Sequence, residues 1–118
     1  MVPQGGYPEA QFQLGCRYYA GGGDIKEDLV QAAVWYQRAA ASRHAEAQYR
    51  LGTMYQYGEG VKQDTYKASA YFQEAAASGY RPAQFKMGCM YKNGTGVLKD
   101  EAKSSEWFQK ANDPIISR

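Results

Sequence analysis

One feature constrains this chain above all others: it resembles itself at a spacing of 36 residues. Shifting the middle third onto the last third brings Ala47 onto Ala83, Gln48 onto Gln84, Gly52 onto Gly88, Met54 onto Met90 and Tyr55 onto Tyr91. Gly58 falls on Gly94, Gly60 on Gly96, Val61 on Val97, Asp64 on Asp100 and Phe72 on Phe108. The first third joins the series with one extra residue, placed within "AGGGDI": Leu14, Gly15 and Tyr18 match Leu51, Gly52 and Tyr55, while Asp28, Ala32 and Tyr36 match Asp64, Ala68 and Phe72. A repeat of this length is the signature of an array of supersecondary units, each unable to bury its apolar face alone.

Each unit reads as two helices. Ala47, Leu51, Met54 and Tyr55 stand at helical spacing and form one apolar stripe, and Ala68, Tyr71, Phe72 and Ala75 form another. Glycine costs about 1 kcal/mol inside a helix. Its return at Gly15, Gly52 and Gly88 therefore predicts a place where a neighbouring helix leaves no room for a side chain. The segment "GEGVKQD" between the stripes has no preceding strand and no Lys-Ser/Thr pair, so it is not a phosphate loop. It reads as punctuation. Gly58 and Gly94 stop the first helix, Val61 plugs the gap between helices, and Asp28, Asp64 and Asp100 cap the second helix. At the junction between units, Arg43 stands where unit two has Gly79, which predicts either a strained residue or a different turn.

The pattern "AQYRLGTMYQYGEGVKQDTYKASAYFQEAAASG" resembles the Sel1-like repeat, a relative of the tetratricopeptide repeat, over about residues 8–112. The shared marks are a small residue, Leu-Gly, Tyr, a Gly-x-Gly-Val loop, Asp, Lys-Ala, an aromatic pair and Ala-Ala. Arg43, Met87, Ser104 and the inserted loop residue depart from it. The resemblance implies an all-α fold, a right-handed superhelical solenoid of three helix pairs, with repeats at about 8–44, 45–80 and 81–113 and a tail at 114–118. It implies an interaction scaffold or adaptor without catalysis, and no cofactor or metal.

Carried over from tetratricopeptide repeats, the groove-facing positions are Glu9, Phe12, Cys16 and Tyr19; Glu46, Tyr49, Thr53 and Gln56; and Pro82, Phe85, Cys89 and Lys92. The ladder Phe12, Tyr49, Phe85 is its boldest feature, since aromatics supply much contact area at low entropy cost. Packing between neighbouring first helices is the competing reading of those rings. Trp35, Trp107 and the aromatics after them are expected in the core. The tail residues Ile115 and Ile116 could fold back as a cap; an uncapped end would leave a surface for self-association.

Net charge is only +2 and no basic cluster stands out, so nucleic acid is not expected as a partner. No apolar run approaches the roughly 20 residues of a membrane span. Cys16 and Cys89 hold one slot two units apart, too distant for a disulfide and unsupported as a metal site. His44 lacks an orienting group for a Cys–His nucleophile, and no Ser-x-x-Lys occurs. No signal peptide is legible in "MVPQGGYPEA", and the one-disulfide-per-unit staple of some secreted relatives is absent. Both favour a cytoplasmic setting, with periplasmic or secreted settings open to a chain cut from a longer precursor. The leading expectation is a protein or peptide ligand in a concave groove. A toxin-blocking immunity protein and a small-ligand binder of enzyme-like character are the alternatives.

Overall fold

The second helix of each unit starts, and the first helix of units two and three stops, where the sequence places its caps. The computed structural model describes residues 7–113. These residues form six helices: α1 (Pro8–Ala20), α2 (Leu29–Ala41), α3 (Ala45–Tyr57), α4 (Thr65–Ala77), α5 (Arg81–Asn93) and α6 (Glu101–Asn112). Among the described residues the only extended pairing is an isolated bridge between Gly22 and Ile25, inside the longer first loop. Ile115 and Ile116 lie outside the described residues.

The second helix of each pair opens on an aspartate. Asp28 accepts from the Gln31 backbone N–H at 3.1 Å, Asp64 from Tyr66 and Lys67 at 3.1 and 3.0 Å, and Asp100 from Lys103 at 3.0 Å. Each aspartate also closes its loop, donating its own N–H to the carbonyls of Tyr18, Tyr55 and Tyr91 at 2.8–2.9 Å. The first helices begin differently. Pro8 and Pro82 sit in the first turns of α1 and α5, where a missing N–H is no loss, whereas α3 is capped by His44, whose Nδ1 accepts from Ala47 N–H at 3.1 Å.

Gly58 and Gly94 end α3 and α5 in the left-handed conformation, both at φ 70°. At the end of α2, Arg43 takes φ 65°, a region that costs a non-glycine residue about 1–2 kcal/mol. Its N–H bonds the Ala40 carbonyl and that of His44 bonds Ala39, while Gly79 and Tyr80 repeat this pair on Ala76 and Ala75. Both junctions are thus the same Schellman turn, and the first places an arginine where the geometry favours glycine.

The main contacts run between consecutive helices, an all-α repeat solenoid. The radius of gyration is 15.1 Å, above the ~13.5 Å of a globular domain this long. Within each pair the recurring glycine lies under a ring. A Cβ built on Gly15 would sit 2.7 Å from Tyr36, one on Gly52 2.8 Å from Phe72, and one on Gly88 2.6 Å from Phe108. The close approach is thus made by an aromatic side chain of the second helix. Tyr36 and Phe72 are completely buried there among Ala32, Ala39, Ala68 and Ala75, each such ring contributing about 1.5–3 kcal/mol. Only the second aromatic of each pair serves this purpose. Trp35 and Trp107, expected in the core, are half-buried instead, with Arg38 and Lys110 standing 4.6 and 4.7 Å from their ring centroids. They sit one residue, about 100° of helix, away from the slot that faces the glycine.

Loops tie unit to unit. Val61 and Val97 pack against the core. A Cβ on Gly96 would lie 2.6 Å from the Thr65 carbonyl, so each Gly-x-Gly segment presses on the start of the preceding unit's second helix. Ser69 locks that contact by donating to the Gly96 carbonyl at 2.9 Å.

Candidate binding surface

The first helices of the three units carry the residues the sequence singles out for contact, and the structure treats them unequally. Phe12 is 4% exposed. It packs on Tyr36 of its own unit at 5.7 Å and is covered by His44, stacked at 4.6 Å, with Arg50 above it at 5.8 Å. A ligand would reach almost none of that ring. Tyr49 is half-buried between Phe72 at 5.3 Å and Tyr80 at 5.4 Å. Phe85 rests on Phe108 at 5.3 Å and is 57% exposed. The ladder is therefore graded. Each rung contacts its own unit's ring, and where a following unit exists that unit's helix-capping aromatic covers it.

Further along, Cys16 is half-buried and accepts the Tyr36 hydroxyl at 3.4 Å; Cys16 and Cys89 are both free thiols. Burial first, then this sulfur contact, pushes the Tyr36 phenol far above its ordinary value. Tyr19 donates to Glu59 Oε2 at 3.0 Å, across to the loop of unit two. Its pKa is raised, chiefly by burial and then by that carboxylate. Thr53 is half-buried and donates back to the Tyr49 carbonyl at 3.1 Å. Glu46 and Gln56 are half-buried too, and Gln56 Oε1 has no hydrogen-bond donor. Glu59 Oε1 is likewise without one. Pro82 and Lys92 are exposed, and Cys89 is half-buried.

Glu9 is exposed and holds two partners: it accepts from Gln13 at 2.7 Å and pairs with His44 Nε2 at 2.7 Å. These bonds, Gln13 first, lower its pKa. Since Nδ1 of His44 accepts from the backbone, its Nε2 is the nitrogen that carries hydrogen toward Glu9. Both ring nitrogens are committed, Nδ1 to capping α3 and Nε2 to joining it to α1. Among the described residues no group of three or more His, Cys, Asp or Glu side chains is disposed to hold a metal ion.

Two buried glutamines had no role assigned from the sequence. Gln48 is 4% exposed, and its amide donates to the Ala40 carbonyl at 3.4 Å and to Glu74 at 3.2 Å. Gln84 donates in the same way to Ala76 at 3.3 Å. Each stitches a first helix to the end of the preceding second helix. The signal was the polar residue recurring at one slot beside the apolar stripe. Gln48 and Glu74 also border a cleft of about 540 Å³, which lies between the C-terminal ends of α2 and α4 and is lined by none of the expected groove residues.

The Sel1 repeat model matches residues 8–44, 45–80 and 81–113. Among solved structures, the chain is 42% identical to a protective antigen of uropathogenic Escherichia coli strains displaying an SLR fold, with a TM-score of 0.85 over 92% of this chain and 23% of that one. A Sel1 repeat protein from Oxalobacter formigenes is 30% identical, with a TM-score of 0.87 over 92% of this chain and 44% of that one. Cysteine rich protein B of Helicobacter pylori shares the fold at 24% identity, with a TM-score of 0.74 over 87% of this chain and 76% of that one. The chain spans less than half the length of the first two. No curated protein sequence matches it.

Proposed function

This chain belongs to the Sel1 repeat family, whose members are generally protein-interaction scaffolds, and on that premise we propose that it binds a protein or peptide along a groove formed by α1, α3 and α5, without catalysis. The observation that carries the reading is the contrast among equivalent slots. Framework slots repeat: Gly15, Gly52 and Gly88 under the rings, and Asp28, Asp64 and Asp100 at the caps. The slots of the first helices are less uniform: Glu9, Glu46 and Pro82; Cys16, Thr53 and Cys89; Tyr19, Gln56 and Lys92, with glutamate and cysteine each shared by two units. The glycine and aspartate slots are the same in every unit, whereas the slot of Tyr19, Gln56 and Lys92 differs in all three and is the one best suited to carry specificity. The half-buried Tyr49, Thr53 and Gln56 support a ligand that brings hydrogen-bonding groups together with apolar surface.

The test is capture of a partner from the host lysate by the immobilised chain, repeated with two variants. Gln56→Ala and Tyr49→Ala should each weaken capture, the latter by roughly 2 kcal/mol. Capture unchanged in both variants, with folding intact by circular dichroism, would remove this surface from consideration.

A further inference from the structure

Two residues that break the repeat fall on one cleft. The slot of Glu74 holds a cation in the other two units: Arg38 in α2 and Lys110 in α6, which stand over Trp35 and Trp107. In α4 the residue is an acid instead, and Gln48 Nε2 of α3 donates to its Oε1 at 3.2 Å. Gln48 is 4% exposed, so a buried amide fixes where this carboxylate stands. Gln84, in the same slot of α5, meets no such acid, because Lys110 takes the place of Glu74. The second departure is Arg43, which holds at φ 65° the turn position that Gly79 fills at the next junction. Its backbone bond to Ala40 is one that Gly79 makes equally well to Ala76, so the turn itself does not call for an arginine. Arg43 and Glu74 both border the cleft of about 540 Å³ between the ends of α2 and α4. Among the described residues only His44 and Glu9 form an ion pair, so these two opposite charges share the cleft without neutralising each other.

We infer that this cleft binds a small α-amino acid as its zwitterion, apart from the groove of α1, α3 and α5. The ligand's carboxylate pairs with Arg43, its ammonium lies beside Glu74, and its side chain rests on the alanines of the lining, Ala40, Ala41 and Ala77. Charge complementarity selects this occupant. The C-terminal ends of α2 and α4 carry partial negative charge. The buried Oε1 of Gln48, which accepts no hydrogen bond, adds to it, so the surroundings of Glu74 favour a cation. Arg43 offers a planar fork of N–H donors that matches a carboxylate. A simple anion would be repelled by Glu74 and the helix ends, and a simple cation by Arg43; only a ligand with both charges answers both. Left-handed strain at Arg43 fits the same reading, since such strain persists where the side chain serves a ligand. The cleft falls in the range of small-molecule sites, roughly 300–1,000 Å³. Its charged rim is exposed, so binding is weak, with Kd in the millimolar range, and falls with added salt.

The test is titration of the 118-residue chain with L-leucine, followed by nitrogen–proton correlation spectra. Saturable shifts should appear at Arg43, Ala77 and the side-chain amide of Gln48. N-acetyl-L-leucine, which lacks the ammonium, and L-leucinamide, which lacks the carboxylate, should each bind at least tenfold more weakly. Arg43→Gly and Glu74→Gln should each weaken L-leucine binding at least tenfold. Both keep the fold: the first adopts the turn already made at Gly79, and the second retains a side-chain oxygen for Gln48. The absence of saturable shifts at tens of millimolar L-leucine would overturn the inference. So would L-leucine binding unchanged in Arg43→Gly or in Glu74→Gln. N-acetyl-L-leucine bound as tightly as L-leucine would reduce the cleft to an anion site, and L-leucinamide bound as tightly would reduce it to a cation site; either result would overturn the zwitterion. Binding that appears only after deletion of residues 1–6 or 114–118 would overturn it too, by making a terminal segment the occupant.

Discussion

At the level of single residues, the glycine under each ring is the most constrained position in the unit. Replacing Gly52 by Ala would raise helix propensity by about 1 kcal/mol. The new methyl, however, would lie 2.8 Å from the wholly buried ring of Phe72, which has nowhere to move. Overpacking of this kind costs about 1–3 kcal/mol, so Gly52→Ala should lower the urea midpoint despite the gain in propensity. The opposite change is favourable at Arg43. There, glycine would relieve a left-handed residue at φ 65° costing about 1–2 kcal/mol, less up to about 1 kcal/mol for the greater freedom of the unfolded chain. Arg43→Gly should raise the thermal midpoint slightly, corresponding to a few tenths to about 1 kcal/mol. A lower midpoint would mean that the arginine makes compensating contacts.

At the level of elements, helices of twelve or thirteen residues are too short to persist alone in water. Their ends are therefore worth as much attention as their faces. Asp64 satisfies two orphan N–H groups and its own N–H closes the loop on Tyr55. Removing the side chain leaves the backbone bond intact. Asp64→Ala should therefore cost about 1 kcal/mol, and Asp64→Asn, which still accepts, much less. Chemical denaturation of the pair separates capping from the general effect of mutation. These caps were legible in the sequence because an N-cap is local chemistry, dependent on a residue and its next three neighbours. His44 was not: its capping role depends on Glu9, 35 residues away, holding its other nitrogen.

At the level of the whole molecule, stability is shared among tyrosines that lie between helices. Tyr19, Tyr36, Tyr49, Tyr71 and Tyr80 all have raised pKa values, with burial the first cause in each. In the unfolded chain each ionises near its ordinary value of 10.0. The folded state thus holds protons that the unfolded state releases. Their stabilisation is complete below that pH and is lost as pH rises through the folded values. Thermal midpoints should begin to fall near about pH 10 and keep falling as pH rises above it. Tyr36→Phe should flatten that fall, because its phenol is the most strongly shifted and because Phe72 and Phe108 already fill the equivalent slots. A wild-type midpoint unchanged through that rise would contradict the burial of these hydroxyls.

The sequence alone determined the repeat, the helix pairs with their aspartate and glycine caps, and the close contact at Gly15, Gly52 and Gly88, because each is encoded by spacing within one unit and copied in the others. It could not decide how far each rung of the ladder is exposed. Phe12, Tyr49 and Phe85 are equivalent in sequence yet buried, half-buried and exposed in turn. Only stacking distinguishes them, since a ring's exposure depends on which unit follows it. The same is true of Gln48 and Gln84, whose amides pair with carbonyls of a different unit. Periodicity records what a residue does within its own unit, and tertiary structure decides what the next unit does to it.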